Sequence, residues 1–132
     1  MATIKTVYKG DMEFETKLGN HTITIDVPEG MGGKDRGPTP PEYFVAALGS
    51  CVAAFAASYC NKAGVDCSDL SVEATFDKVS NPTRLTNFKL KLNIPHDCCQ
   101  GREDAILRAA SHCPVHQSIE GFEGVELELF HS

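Results

Sequence analysis

An uncharged stretch of nineteen residues near the middle of the chain most constrains how this protein can fold. Residues 43–61 read YFVAALGSCVAAFAASYCN, with six alanines and no acidic or basic side chain. This length reaches the roughly 18 residues at which a membrane-spanning helix has to be considered. However, the stretch is rich in small residues and contains Gly, Ser and a terminal Asn instead of a run of Leu, Ile and Phe. We therefore expect a helix buried on most sides, in part by a second subunit, and no membrane span.

Composition places the chain among ordinary globular proteins. It has 132 residues, of which 42% are hydrophobic and 23% are charged, and this length suits one domain with its own core. The net charge of −6 argues against a nucleic-acid partner, which would require a basic surface. The segment Met1–Lys9 lacks the apolar run of a signal peptide, which predicts a cytoplasmic location.

Six cysteines are a high number for this length, and they stand at positions 51, 60, 67, 98, 99 and 113. A secreted disulfide scaffold is one explanation for such a count. Against it, the first 50 residues contain no cysteine, and Cys51 and Cys60 lie in the Ala-rich stretch, where a covalent staple is least needed. We therefore expect reduced thiols in a cytoplasmic setting. Cys60, Cys67 and the adjacent Cys98 and Cys99 are interpreted as structural or incidental.

Hydrophobic alternation predicts strands on both sides of the central helix. The predicted strands are Thr3–Tyr8, Glu13–Leu18, His21–Val27, Leu70–Val79 and Arg84–Ile94, with a last strand through Val125, Leu127 and Leu129. Gly19-Asn20 suits a two-residue hairpin turn, and Asn81-Pro82 suits a second turn. Glu29–Pro41 contains four Gly and three Pro, which indicates a loop of the kind that often carries function.

Two helices complete the predicted order. The first runs from Pro41 to about Lys62, with Thr39 as its cap and Gly64 as its stop. The second runs from about Gln100 to His112 and is interrupted by Pro114. The order β-β-β-α-β-β-α-β predicts an α+β domain in which sheets cover helices. Within this single domain, 1–132, we distinguish N-terminal strands (1–28), a Gly/Pro-rich loop (29–40) and a helix and strand portion (41–132).

Two of the cysteines stand in positions that suit thiol chemistry, which requires the thiolate. Cys51, beside Gly49 and Ser50, is either a small core residue or a site that a small substrate can approach. Cys113 precedes Pro114, which disfavours helical geometry at the residue before it. Cys113 is therefore either buried at a kink or the cap of a new turn whose free N–H groups stabilise a thiolate.

A metal site is the alternative to this thiol interpretation. His112, Cys113 and His116 form an H-C-x-x-H pattern, and the spacing of the two histidines resembles that of zinc ligands. Pro114 interrupts the helix that would align them, and the sequence contains no nucleotide-binding or metalloprotease motif. We therefore expect no metal ion and no other cofactor.

Two segments together resemble the OsmC/Ohr family of osmotically induced and organic-hydroperoxide-resistance proteins. The first is GPTPPEYFVAALGSC (37–51), and the second is AASHCPVHQSI (109–119). The resemblance extends to the order of strands and the spacing of helices, over nearly the whole chain. It implies an α+β fold in which two chains intertwine into a homodimer. In the fold that the resemblance implies, sheets wrap two Cys-bearing helices and the active sites lie at the dimer interface.

The resemblance also implies an activity and its residues. Cys51 matches the peroxidatic cysteine, which reduces an organic hydroperoxide, and Cys113 matches the resolving cysteine, which then forms a disulfide with it. A dithiol reductant, such as a lipoylated protein, restores both thiols. Glu42 resembles the family glutamate that holds an activating arginine. Residues 1–35 contain no Arg, so Arg36 is the nearest candidate for the activating charge.

Two hypotheses about function follow from this resemblance. The first is a thiol peroxidase that reduces organic hydroperoxides in oxidative-stress defence. The second is an OsmC-like dimer with weak or no peroxidase activity, which binds a small apolar ligand or has another redox role. The second is motivated by the missing N-terminal arginine, since burial without a nearby positive charge raises the pKa of a thiol such as Cys51 and slows its attack.

Overall fold

The computed structural model describes residues 1–95 and 100–130 of the chain. Cys98 and Cys99 therefore lie outside the described residues. The chain divides into two compact units, Met1–Ala46 and Ala47–Ser132. Over the described residues, the two units contain two small antiparallel sheets and three α-helices, so the predicted α+β class is confirmed.

The first unit is built on a three-stranded antiparallel sheet. Its strands are β1 (Lys5–Gly10), β2 (Glu13–Leu18) and β3 (His21–Ile25), in the order β1-β2-β3. Leu18 pairs with His21, so Gly19-Asn20 forms the two-residue turn that was predicted. Gly19 has φ of 62°, a left-handed conformation that glycine adopts without a steric penalty.

The long helix α1 (Pro40–Ala63) begins at a capping box. The Thr39 hydroxyl accepts a hydrogen bond from the Glu42 backbone N–H at 3.4 Å, and Glu42 Oε1 accepts one from the Thr39 N–H at 2.9 Å. Pro40 and Pro41 occupy the first two helical positions, where a missing N–H costs nothing. By length and composition, α1 also meets the criteria for a membrane span, which core helices of soluble proteins meet as well.

The second unit packs helices against a two-stranded sheet. The sheet pairs β4 (Ser71–Val79) with β5 (Arg84–Asn93), and the helices that follow are α2 (Glu103–Ser111) and α3 (Pro114–Glu120). Residues spaced four apart along one face of α1 are buried together with residues of α2 and the start of α3. Alternate residues of β5 pack against this core. The core residues are Leu48, Val52, Ala56, Cys60, Ile106, Ala110 and Cys113.

The predicted last strand through Val125, Leu127 and Leu129 is wrong. Residues 122–130 form neither helix nor strand, and these three side chains are 79%, 96% and 88% exposed. A strand exists only through hydrogen bonds to a neighbouring strand, whereas alternation of side chains specifies a face and not a partner. Within the described residues, β4 and β5 pair with each other alone, so this segment has no partner strand.

Candidate active site

Cys51 and Cys113 lie together in the second unit. Cys51 is half-buried in the middle of α1, and Cys113 is completely buried in the connection between α2 and α3. Neither cysteine is in a disulfide, and the Cys113 side chain is a hydrogen-bond partner of Cys51. Within the part of the chain that the structure describes, Cys60 and Cys67 are not disulfide-bonded either. The fold therefore pairs the two cysteines that local sequence context had distinguished.

The first turn of α3 supplies hydrogen-bond donors to both sulfurs. Cys113 is the N-cap of this helix, and its Sγ accepts the His116 backbone N–H at 3.2 Å. The Val115 backbone N–H donates to the Cys51 sulfur. These N–H groups are available because the first turn of a helix has no intrahelical acceptors for them. Cys113 is thus both buried and the cap of the turn that starts at Pro114.

The electrostatic surroundings of Cys51 favour the protonated thiol. Burial raises its pKa above the ordinary value, and the hydrogen bond with Cys113 raises it further. The N–H of Val115 lowers the pKa but does not offset these two effects. The reactive thiolate is therefore the minor form at neutral pH.

Glu42 makes the contacts of a helix cap. It is exposed at the third position of α1, and its carboxylate accepts the Thr39 N–H. This bond, together with a hydrogen bond from the Thr39 side chain, holds the pKa of Glu42 below its ordinary value. Thr39 was expected as a cap, but the reciprocal role of Glu42 in a T-x-x-E box was missed, although this spacing is visible in the sequence.

Arg36 is engaged within the first unit. Its Nε donates to Asp26 Oδ2 at 2.6 Å, its Nη2 donates to the Asp11 carbonyl at 2.7 Å, and its Nη1 lies 3.4 Å from Glu13 Oε1. These contacts raise the pKa of Arg36 further and keep it charged. They attach the Gly/Pro-rich loop to the end of β3 and to the β1–β2 turn.

Asp26 is the buried partner in this network, and sequence reasoning missed it. Its side chain is 0% exposed, and it also accepts the backbone N–H groups of Val27, Lys34 and Arg36. The Arg36 side chain, together with these donors, holds the pKa of Asp26 well below its ordinary value in spite of its burial. The sequence does contain a signal for such a pair. An acidic residue follows a strand, and the next loop contains a single arginine.

His112, Cys113 and His116 do not converge on one point. Across residues 1–95 and 100–130, the structure contains no group of three or more His, Cys, Asp or Glu side chains placed to share a metal ion. Cys113 instead receives the His116 backbone N–H, and the His116 ring bonds to Glu120 at 2.8 Å. The pattern H-C-x-x-H is thus used here for helix capping and for a side-chain pair on α3.

Comparisons with known proteins identify the family of this chain. Residues 32–128, more than half of the chain, match the family described as OsmC-like protein. The uncharacterised protein YmaD of Bacillus subtilis strain 168 is 28% identical over 123 residues, which cover 84% of this chain and 78% of YmaD.

Solved structures have the same fold at low sequence identity. An OsmC-like protein from Mycoplasma pneumoniae superposes with a TM-score of 0.75 at 20% identity, covering 91% of this chain and 87% of that one. An organic hydroperoxide resistance protein from Elizabethkingia anophelis gives a TM-score of 0.65 at 22% identity, covering 92% and 91%. The chain therefore belongs to the OsmC-like protein family, as the two sequence segments had indicated.

Proposed function

We propose that this protein is a thiol peroxidase that reduces organic hydroperoxides through Cys51 and Cys113, in the cytoplasm. The observation that carries the proposal is the hydrogen-bonded pair of free thiols, with the Val115 and His116 N–H groups directed at its two sulfurs. Membership of the OsmC-like family supports a redox role. The related solved structure from Elizabethkingia anophelis, an organic hydroperoxide resistance protein, supports the choice of substrate.

The proposed reaction proceeds in two steps, formation of a sulfenic acid and formation of a disulfide. The Cys51 thiolate attacks the distal oxygen of ROOH, the O–O bond breaks, and the alcohol ROH leaves after taking up a proton, so that Cys51 becomes a sulfenic acid. The Cys113 sulfur then attacks the Cys51 sulfur, a disulfide forms and water leaves. The two side chains interact in the reduced protein, which favours closure of the S–S bond of about 2.05 Å in the second step.

A dithiol reductant closes the cycle in this proposal. Its first thiolate attacks the Cys51–Cys113 disulfide, and its second thiol releases the mixed disulfide, which returns both cysteines to the thiol state. A small dithiol such as a lipoyl group on a partner protein suits this exchange, since Cys113 is fully buried and a bulky reductant would need to displace structure.

Mixing the reduced protein with one equivalent of cumene hydroperoxide tests the proposal. We expect the hydroperoxide to be consumed and a single disulfide between Cys51 and Cys113 to appear by peptide mass spectrometry, because these side chains are in contact. Cys67, a free thiol hydrogen-bonded to Asn61, serves as an internal control and should stay reduced. Consumption without this disulfide, or a disulfide on other cysteines, would contradict the assignment.

The raised pKa of Cys51 favours a second candidate function, an OsmC-like protein with weak peroxidase activity. A predominantly protonated thiol attacks peroxide slowly. The two functions differ in rate, so stopped-flow measurement with hydroperoxide in excess separates them. A rate constant no greater than that of a free thiol such as dithiothreitol at the same pH would favour the second function.

We also propose that the protein acts as a homodimer. In a single chain, only 22% of the most apolar 18-residue segment of α1 is buried, and Phe55 on this helix is 38% exposed. The exposed Val125, Leu127 and Leu129 add further apolar surface. Apolar exposure of this extent marks an association surface, and a second copy of the chain, as the family resemblance implies, would cover it.

Multi-angle light scattering tests the homodimer. We expect the mass of two chains at micromolar concentration, and we expect Leu127→Glu to weaken the dimer by placing a charge in the association surface. Glu126→Gln, which changes the adjacent side chain without adding a charge, is the matched control and should leave the mass unchanged. A monomeric mass for the unmodified protein at this concentration would overturn the proposal.

A further inference from the structure

The second unit contains an apolar cavity beside α1. Its volume is about 290 Å³, near the lower end of the range for small-molecule pockets. Its walls come from α1, β5, α2 and α3, and most of the lining side chains are aliphatic or aromatic: Leu48, Val52, Phe88, Leu90, Leu107 and Ile119. Leu48 and Val52 stand three residues before and one residue after Cys51 on α1, but in the described chain neither Cys51 nor Cys113 lines the cavity.

Three polar residues also line the cavity. They are Ser111, His116 and Glu120, and the His116 Nε2 lies 2.8 Å from Glu120 Oε1. The two residues are four positions apart on α3 and so lie on the same face of that helix. Because a carboxylate only accepts hydrogen bonds, Nε2 is the donor, and in the tautomer with its proton on Nε2 the ring has Nδ1 as an acceptor.

This arrangement selects among head groups. An acceptor nitrogen recognises an O–H donor, whereas Glu120, whose side chain is 68% exposed, repels a carboxylate bound beside His116. The apolar walls favour an uncharged hydrocarbon portion, since a charged group would lose its hydration there without a partner.

We propose that the cavity is a binding site for a neutral amphiphile, with its hydrocarbon portion against the apolar walls and a terminal hydroxyl donating to His116. A cavity of roughly 150 Å³ holds a benzene molecule. The 290 Å³ present here accommodate an aliphatic chain of medium length. The site is separate from the two sulfurs, so the inference goes beyond the proposed peroxidase activity and does not depend on it.

Calorimetric titration with 1-octanol and with octanoate at the same pH tests the site. We expect 1-octanol to bind one molecule per chain, and octanoate to bind about tenfold or more weakly because of Glu120. Glu120→Gln should bring the two affinities together, whereas Glu123→Gln, a change outside the lining, should not. Absence of 1-octanol binding, or equal binding of both compounds to the unmodified protein, would overturn the proposal.

Two further variants locate the ligand within the cavity. Leu90→Trp fills the apolar part and should lower octanol affinity by about tenfold or more, and His116→Phe should lower it about fivefold, the factor that one neutral hydrogen bond supplies. Far-UV circular dichroism establishes that each variant is folded. Unchanged affinity in both folded variants would place octanol elsewhere. Cys51→Ser should bind octanol normally, so a failure of the peroxidase proposal would leave this result intact.

Discussion

Replacing Cys51 by Ser is expected to abolish hydroperoxide consumption, reducing the rate by roughly 100-fold or more to that of the peroxide in buffer. The reason is chemical, because a serine hydroxyl is far less acidic and less nucleophilic than a thiol and forms no sulfenic acid. The substitution removes one sulfur from a position that is already half-buried and hydrogen-bonded, so the fold should be retained. Consumption of cumene hydroperoxide in the presence of dithiothreitol measures the effect.

The matched control for this experiment is Cys67→Ser. Cys67 is a partly buried free thiol whose Sγ donates to Asn61, and a serine hydroxyl can make the same bond. We expect this variant to keep the full rate. Equal activity in Cys51→Ser and Cys67→Ser would show that Cys51 is not the reacting group and would remove the basis of the proposed function.

Cys113→Ser separates the two steps of the cycle. Without external thiol, this variant should consume one equivalent of hydroperoxide and stop, because the sulfenic acid on Cys51 has no sulfur beside it to form a disulfide. A dimedone adduct on Cys51, absent in the unmodified protein after the same treatment, is the expected signature. An unaltered yield of disulfide in this variant would assign the resolving role to another cysteine.

Asp26→Asn is expected to destabilise the protein strongly, lowering the Tm at pH 7 by on the order of 5–10 °C. The substitution leaves Glu13 as the one carboxylate beside the Arg36 guanidinium among the described residues. It also exchanges the Oδ2 oxygen, which accepts the backbone N–H groups of Lys34 and Arg36, for an NH2 group. The whole Gly/Pro-rich loop is organised around this acceptor, so the loss affects several bonds together.

The pH dependence of the same variant tests the electrostatic origin of the effect. The pKa of Asp26 is lowered in the folded protein, so its contribution is present above the ordinary value of 3.8 and is lost as pH falls through the folded value. The difference in Tm between the unmodified protein and Asp26→Asn should therefore be full at pH 6–7 and shrink below about pH 4.

Asp35→Asn is the matched control for Asp26→Asn. Asp35 is exposed in the same loop with φ of 53°, a conformation that Asn also tolerates, so this change should alter the Tm little. If the two variants had the same Tm at neutral pH, the Asp26–Arg36 pair would have no stabilising role.

Much of the fold was predictable because most of its elements are specified locally. The strands around Gly19-Asn20 and the stop at Gly64 depend on backbone preferences of single residues, and both occur where predicted. The segment through Leu127 was predicted wrongly, since its alternation is real but pairing depends on a partner strand that residues 1–95 and 100–130 of one chain do not provide. Asp26 was missed because the sequence shows an acidic residue after a strand and an arginine in the next loop, but only the tertiary structure shows that this carboxylate is buried.

For the site, local chemistry identified the cysteines, and tertiary structure determined their state. The context of Cys51 in a small-residue helix, and of Cys113 before a proline, was enough to distinguish these two cysteines. That the side chains touch, that Val115 and His116 direct N–H groups at them, and that burial raises the pKa of Cys51 became evident only when α1 and α3 were brought together. Hydrogen bonds and desolvation join residues more than sixty positions apart along the chain, and no local pattern in the sequence encodes that distance.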